Sequence, residues 1–174
     1  MAAGGAIFND VHLNAVDAKA RVSLPAAFRQ TIDIRCNTGK VAPGLAKTLR
    51  MSVNSALGCI EVSDGLNIAD TEEQLTAHAA RVSEKTGELM SDVLDELEAK
   101  TFPMMKDVSF DNDGRMVLPE RLREKAGIDR EAFFVGRGRR FRIWAPKVLQ
   151  DRPEGESEEV LKELADMIRK RTGG

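Results

Sequence analysis

Two arginines, Arg21 and Arg115, end matching five-residue motifs that begin with an aspartate, Asp17 in the first motif and Asp111 in the second. The guanidinium group is a planar fork that can bind a guanine edge or a phosphate through two hydrogen bonds, whereas a lysine ammonium offers a point charge. An aspartate four residues earlier, across a turn, can pair with the arginine and hold that fork in place. The motifs therefore predict two guanidinium groups positioned for nucleic acid. The alternative is that each ion pair only closes its turn.

Other basic side chains accompany the motifs and extend the predicted binding surface. Three are expected to contact phosphates near short helices: Lys19, Arg29 and Arg123. Three more follow one another in a glycine-containing segment and are candidates for a second phosphate patch: Arg137, Arg139 and Arg140. A solvated hairpin tip, or a salt bridge between subunits, explains this second cluster equally well.

Positive charge is concentrated in two stretches, although the 174 residues carry a formal net charge of −2. Residues 17–50 hold seven basic and two acidic side chains, and residues 100–149 hold twelve basic and seven acidic ones. Between them, residues 61–99 hold eleven acidic and two basic side chains. Two basic stretches can form a local phosphate-facing surface even in an acidic protein. Solvated faces without a partner are the alternative that composition leaves open.

The remaining reactive residues do not indicate catalysis. The two histidines, His12 and His78, are isolated and belong to no HExxH, P-loop or Cys/His pattern. Cys36 and Cys59 make neither a disulfide framework nor a CxxC motif, so we expect two buried or half-buried thiols in a reducing cytoplasm. No apolar run approaches the roughly 18 residues of a membrane span, and no secretion signal is recognisable. We therefore predict a cytoplasmic protein that is not an enzyme, with no cofactor, metal, membrane partner or small-molecule substrate.

The chain contains an internal repeat. The segment Asp17–Arg29 matches Asp111–Arg123 at an offset of 94 residues, with identical Asp, Arg, Leu, Pro and Arg. Ile60–Val62 resembles Phe141–Ile143 at an offset of 81, so the first copy is 13 residues longer inside. A duplication is the economical explanation.

Each copy is predicted to fold as strand, turn, strand, short helix and β-hairpin. Pro25 and Pro119 suit the first turn of a helix, and Gly127 suits the position that ends the second of these helices. The apolar segments on either side of Gly136–Arg140 predict a hairpin with that turn. Four strands and one short helix are marginally stable alone, so we expect the two copies to pair with each other.

Further helices are predicted outside the two copies. A capping-box-like sequence at Asp70 predicts the start of a longer helix between the copies, and Gly87 predicts a break in it. Ser157 is the predicted N-cap of a C-terminal helix with one apolar face and a basic last turn. The preceding segment, Pro153–Ser157, has the composition of a flexible link.

The paired motifs, each followed by a β-run, a proline and a short helix, resemble the MraZ family, whose members carry two tandem AbrB-like (SpoVT-AbrB) modules. The segment Phe134–Trp144 resembles the end of that family's second module, and Leu57–Ile60 resembles the end of the first. Ala20 departs from the family pattern, because glycine is usual before the first arginine.

The resemblance implies a mainly β fold with α-helices, in the α+β class. Its two modules, of β-barrel or swapped-hairpin type, would pack as a pseudo-dimer. It places the first module at residues 11–67 and the second at 105–148. The residue pattern itself, and not the resemblance, predicts the acidic helical connector at 68–104 and the C-terminal helix at 155–171.

In function, the resemblance implies a cytoplasmic, nucleoid-associated repressor that binds double-stranded DNA. It would act at the promoter of a division and cell-wall gene cluster, as a ring-shaped homo-oligomer on short direct repeats. An interaction protein is the alternative from another class, since AbrB-like modules also occur in antitoxins that neutralise a partner protein through a separate tail. Two modules and a well-patterned tail helix favour the regulator.

Overall fold

The computed structural model describes residues 6–173. Within this range, eight strands and six α-helices follow in the order β1 (Val11–Ala15), β2 (Arg21–Ser23), α1 (Ala26–Cys36), β3 (Thr48–Asn54), β4 (Cys59–Ser63), α2 (Gly65–Thr86), α3 (Met90–Thr101), β5 (Lys106–Ser109), β6 (Arg115–Val117), α4 (Glu120–Ala126), β7 (Glu131–Gly136), β8 (Phe141–Trp144), α5 (Pro146–Asp151) and α6 (Glu158–Thr172). Short 3₁₀ turns at Pro43–Leu45 and Pro153–Gly155 precede β3 and α6.

The strands form two antiparallel sheets that mix the two copies of the repeat. The larger sheet has the order β1-β7-β8-β4-β3-β5, and the smaller one, here named the ribbon, consists of β2 and β6. The first strand of each copy pairs with the hairpin of the other copy, β1 with β7 and β5 with β3. This exchange confirms the α+β class and the swapped-hairpin packing. The barrel form of that prediction is wrong for the described residues, because β2 and β6 pair with each other and leave the larger sheet open.

An internal two-fold relation connects the two copies. In the pairing of β4 with β8, Glu61 lies opposite Arg142, its own counterpart at the repeat offset of 81 residues. In the ribbon, Val22 lies opposite Met116, its counterpart at the offset of 94. Each of these pairs therefore lies on the axis that exchanges the copies. The predicted duplication, and the pairing of its two halves, are confirmed.

The larger sheet is packed on both faces. On one face, Phe28 of α1 contacts Phe141, with ring centroids 4.9 Å apart, and Phe8 lies 5.4 Å from Phe28. On the other face, α6 buries Leu164 in a cluster with Trp144. Aromatic pairs at these separations add to the stability gained from burial. The ribbon is joined to this packed sheet through β1 and β5.

The connector is a helical hairpin whose first helix begins earlier than predicted. Helix α2 begins directly after Asp64, which caps it by accepting a hydrogen bond from the Asn67 backbone N–H. Asp64 is also paired with buried Arg35 at 2.6 Å, a partner too distant in sequence to be predicted. The predicted start at Asp70 is therefore wrong. Gly87 ends the helix with a left-handed φ of 77°, as predicted.

The other helix ends mostly follow the local sequence. Pro25 and Pro119 precede their helices with extended ψ angles of 138° and 131°, so they are N-caps and do not lie inside the first turn as predicted. Gly127 ends α4 with a φ of 69°, as predicted. Ser157 caps α6 by accepting a hydrogen bond from the Val160 N–H, also as predicted.

The segment before α6 is a packed part of the structure, and the prediction of a flexible link is wrong. The Glu156 side chain is only 3% exposed. It accepts hydrogen bonds from Trp144 Nε1 at 2.9 Å and from Arg142 Nη1 at 3.1 Å. Both donors belong to β8, so these contacts fix the segment against the larger sheet.

Helices occupy more of the described chain than strands do, because both the connector and the C-terminal segment are helical. None of the helices in residues 6–173 has both the length and the apolar character that crossing a membrane requires.

Cys36 and Cys59 are buried, as predicted, and burial raises the pKa of the Cys59 thiol to about 12.

Candidate nucleic-acid interface

The aspartate of the first motif both shapes its turn and holds its arginine. In the first turn (residues 17–21), Asp17 Oδ1 accepts hydrogen bonds from the backbone N–H groups of Lys19 and Arg21, each at 2.9 Å. Its Oδ2 accepts a hydrogen bond from Arg21 Nε at 2.6 Å. The bond from the Arg21 backbone is the main cause that lowers the pKa of Asp17 below its ordinary value. The carboxylate is therefore ionised at neutral pH and fixes the guanidinium by charge as well as by geometry.

The second turn (residues 111–115) repeats this arrangement. Asp111 Oδ1 accepts hydrogen bonds from the backbone N–H groups of Asp113 at 3.0 Å and of Arg115 at 2.9 Å. Its Oδ2 accepts a hydrogen bond from Arg115 Nε at 3.2 Å. The bond from the Arg115 backbone is the main cause that lowers the pKa of Asp111. Arg115 Nη2 also pairs with Asp113 Oδ2 at 3.0 Å, so this guanidinium is held by two carboxylates.

Ala20 adopts the backbone conformation of its counterpart, Gly114. The φ angle is 61° at Ala20 and 79° at Gly114. Each N–H donates to the backbone carbonyl of the motif aspartate, at 3.0 Å in the first turn and 2.9 Å in the second. The alanine therefore leaves the turn unchanged. Because an L-residue in the left-handed region is strained, this conformation costs roughly 1–2 kcal/mol.

Both motif arginines lie on the outer face of the ribbon. Val22 in β2 and Met116 in β6 are buried, so the residues on either side of them face solvent. The side chains of Arg21 and Arg115 are 55% and 61% exposed. The register sets the two arginines diagonally across the two strands, with their Cα atoms about 7–8 Å apart. The fold thus brings together two arginines that lie in separate copies of the repeat.

The two turns border one shallow cavity of about 530 Å³. Both motif aspartates and both motif arginines line it, together with the four other residues of the ribbon and with Ala15 and Val16. The two copies of the repeat therefore present one continuous surface, and neither copy forms it alone.

The three predicted phosphate contacts are placed differently. Lys19 is exposed on the first turn. Arg29 crosses to the second turn and donates to one of its carbonyls at 3.3 Å, so that a Cβ on Gly114 would lie 2.4 Å from Arg29 Cδ. Arg123, the counterpart of Arg29 in the second copy, does not cross to the first turn, where Ala20 already carries such a Cβ. It donates instead to a backbone carbonyl beyond its own helix, at 3.4 Å. The alanine and a crossing arginine exclude each other sterically, which explains why the two copies differ.

The structure does not bring the hairpin-tip arginines to the ribbon. The tip joins β7 to β8 at the end of β7 farthest from the β1 residues that lead into the ribbon. The length of β7, about 20 Å, separates the two sites. Arg137 pairs with Glu156 at 2.9 Å, whereas Arg139 and Arg140 are exposed.

Two residues at the site were not predicted from the sequence. Lys47, which precedes β3, donates to the Asn112 side chain in the second turn. No local pattern could have revealed this long-range contact. Val117 is 55% exposed on the outer face of the ribbon. The alternation of side chains along a strand signals this position, because Val117 follows Arg115 by two residues.

The fold and the site define a two-module α+β protein whose halves pair to display two carboxylate-held arginines on one β-ribbon. The profile of the family described as "MraZ protein, putative antitoxin-like" matches residues 104–167. The transcriptional regulator MraZ of Rickettsia peacockii is 32% identical over 142 residues, which cover 81% of this chain and 83% of that protein. The transcriptional regulator MraZ of Gluconacetobacter diazotrophicus is 30% identical over 148 residues, covering 84% and 83%. The chain belongs to the MraZ family of transcriptional regulators, a class distinct from enzymes, and the predicted resemblance is confirmed.

Proposed function

We propose that the chain binds double-stranded DNA by placing the ribbon in the major groove, where Arg21 and Arg115 bind base edges or phosphates. The observation that carries this proposal is the exposure of both guanidinium groups on one face, each held by an ionised carboxylate. A two-stranded ribbon fits the major groove, and a fixed fork loses little entropy when it forms a bidentate contact. Lys19 would contact a flanking phosphate, and Arg29 and Arg123 would do so only after leaving their carbonyl partners.

Binding through one ribbon is expected to be weak. The motif aspartates and Asp113 offset part of the positive charge beside the arginines, so few phosphates are neutralised by each chain. A homo-oligomeric ring would present several ribbons at fixed spacing and would raise the effective concentration of each one. Short direct repeats in the DNA would match such an assembly.

The regulatory role follows the family. The chain would act as a repressor by occupying a promoter upstream of a division and cell-wall gene cluster that includes its own gene, and it would be nucleoid-associated. The membership in a family of transcriptional regulators and the ribbon geometry support this role together.

Loss of either motif arginine should weaken DNA binding. Arg21→Ala and Arg115→Ala are each expected to weaken binding about 10- to 100-fold, because each removes one bidentate contact. The measurement is a gel shift at moderate salt, with a duplex that spans the region upstream of the chain's own gene. Arg169→Ala is the matched control, since it removes a 73% exposed arginine from α6.

Size-exclusion chromatography should give the same assembly size for all three variants and the parent chain. This result would separate a loss of DNA contacts from a loss of assembly. Unchanged DNA affinity in both motif variants would remove the ribbon arginines from the binding site and contradict the proposed function.

A further inference from the structure

The outer face of the ribbon is not the same in its two halves. Ser23 and Val117 are counterparts in the repeat, yet one side chain is polar and the other is apolar. Val117 is 55% exposed and lies among the charged groups of the motifs. The internal two-fold relation therefore positions two different chemical groups at equivalent places on the candidate binding face.

Val117 is the direct cross-strand neighbour of Arg21. The Leu118 N–H donates to the Ala20 carbonyl at 2.9 Å, which makes that pair a hydrogen-bonded one. The adjacent pair, Arg21 with Val117, is consequently of the non-hydrogen-bonded kind, in which side chains approach most closely. Arg21 and Val117 thus form one unit on the face, with Cβ atoms about 5 Å apart.

The two arginines also differ in what they can still bind. Among the described residues, the Arg21 side chain donates to carboxylate oxygen through Nε alone, which leaves both of its Nη groups for a ligand. Arg115 Nη2 is already engaged by Asp113. The half of the ribbon that contains Arg21 therefore combines a freely available fork with an exposed apolar side chain.

We propose that Val117 contacts the 5-methyl group of a thymine next to the base pair that Arg21 binds, so that the two halves of the ribbon recognise different bases. The thymine methyl is the apolar group that the base edges present in the major groove. Burying Val117 against it removes both apolar surfaces from water. Ser23, with a hydroxyl donor and acceptor, fits a hydrogen-bonding base edge in the other half. This inference rests on the proposed DNA binding.

The test removes single methyl groups from the DNA. A duplex library with a randomised core is enriched on the uncut 174-residue chain, and each thymine of the enriched duplex is then replaced by deoxyuridine. For the parent chain, one replacement is expected to weaken binding about fourfold, the equivalent of one methyl group lost from an apolar contact. In Val117→Ser, the same replacement should have no effect, whereas Val117→Ile should retain the parent response.

Ile34→Ser is the matched control, since it removes an equally exposed apolar side chain, 55% accessible, from α1. It should show the parent response at every thymine. The role of Val117 is overturned if no thymine responds in the parent chain, or if Val117→Ser responds as the parent does. If either result is found while Arg21→Ala still weakens binding to the enriched duplex, only the role of Val117 fails and the proposed function stands. If Arg21→Ala binds as well as the parent chain, the proposed function fails too.

Discussion

Ala20 shows how strongly a single aspartate constrains the first turn. The residue keeps a φ of 61° although it has a side chain. The backbone N–H groups of Lys19 and Arg21 donate to the Asp17 carboxylate, and that of Ala20 donates to the Asp17 carbonyl. Together these hydrogen bonds determine the turn more strongly than the local preference of alanine opposes it. The strain is therefore located directly beside the arginine that the turn holds.

Replacing Ala20 by glycine should stabilise the protein. Ala20→Gly is expected to raise the free energy of unfolding by about 1 kcal/mol. The strain energy that the substitution removes from the folded state is larger than the stabilisation that glycine's extra conformational entropy gives to the unfolded chain. Urea-induced unfolding at neutral pH measures the change.

The reverse substitution at the equivalent position is the control. Gly114→Ala should destabilise the protein, because its φ is 79° and the new Cβ would lie 2.4 Å from Arg29 Cδ. A loss of stability in Ala20→Gly would show that the alanine packs favourably and that the strain is not expressed in the free energy of unfolding.

The segment between α5 and α6 attaches the C-terminal helix through one buried carboxylate. Glu156 accepts hydrogen bonds from Arg137, Arg142 and Trp144. Arg142 also pairs with Glu61 at 2.8 Å, so the network continues to the strand pair on the internal axis. The helix α6 is therefore tied to the larger sheet by charge as well as by its apolar face.

Removing this carboxylate should destabilise the fold. Glu156→Ala is expected to lower the free energy of unfolding by about 2 kcal/mol, because it leaves the Trp144 N–H without its acceptor and removes one of the two carboxylates that pair with the partly buried guanidinium of Arg142. Urea unfolding measures the change. Glu154→Ala is the matched control, since this neighbouring glutamate is exposed and should have little effect. Equal stability of both variants would mean that the network contributes nothing net.

The whole molecule behaves as an internal dimer, because each copy supplies strands that the other needs. Strand β1 pairs with β7, β5 pairs with β3, and β4 pairs with β8. The ribbon itself takes one strand from each copy. A single copy would therefore leave unpaired backbone groups along several strands, which is costly in a folded monomer.

Cutting the chain between the helices of the connector tests this dependence. Fragments 1–87 and 88–174, produced together, should form a one-to-one folded unit, because the cut lies in an exposed loop and leaves every strand intact. Each fragment alone should unfold or self-associate through the same strand edges. Light scattering after size-exclusion chromatography, combined with circular dichroism, measures both outcomes. A folded fragment in monomeric form would contradict the internal-dimer description.

Several features were predictable because each depends on a few consecutive residues. The first and second turns, the β7–β8 hairpin, the break at Gly87 and the Ser157 cap follow from local hydrogen bonding and backbone preferences. The repeat itself was visible because residue types recur at fixed offsets, and the paired motifs also led to the correct family.

Other features arise from contacts between residues far apart in the chain. The Asp64 cap with its Arg35 partner, the burial of Glu156 and the crossing of Arg29 to the second turn leave no local signal. Alternation along a strand places Arg21 and Arg115 each on one face, but whether these faces coincide depends on which strands pair and in which register. The register of β2 with β6 sets both guanidinium groups on a single surface. The sequence thus encodes the two arginine turns, and folding joins them into one site because each ribbon strand finds its partner in the opposite half of the molecule.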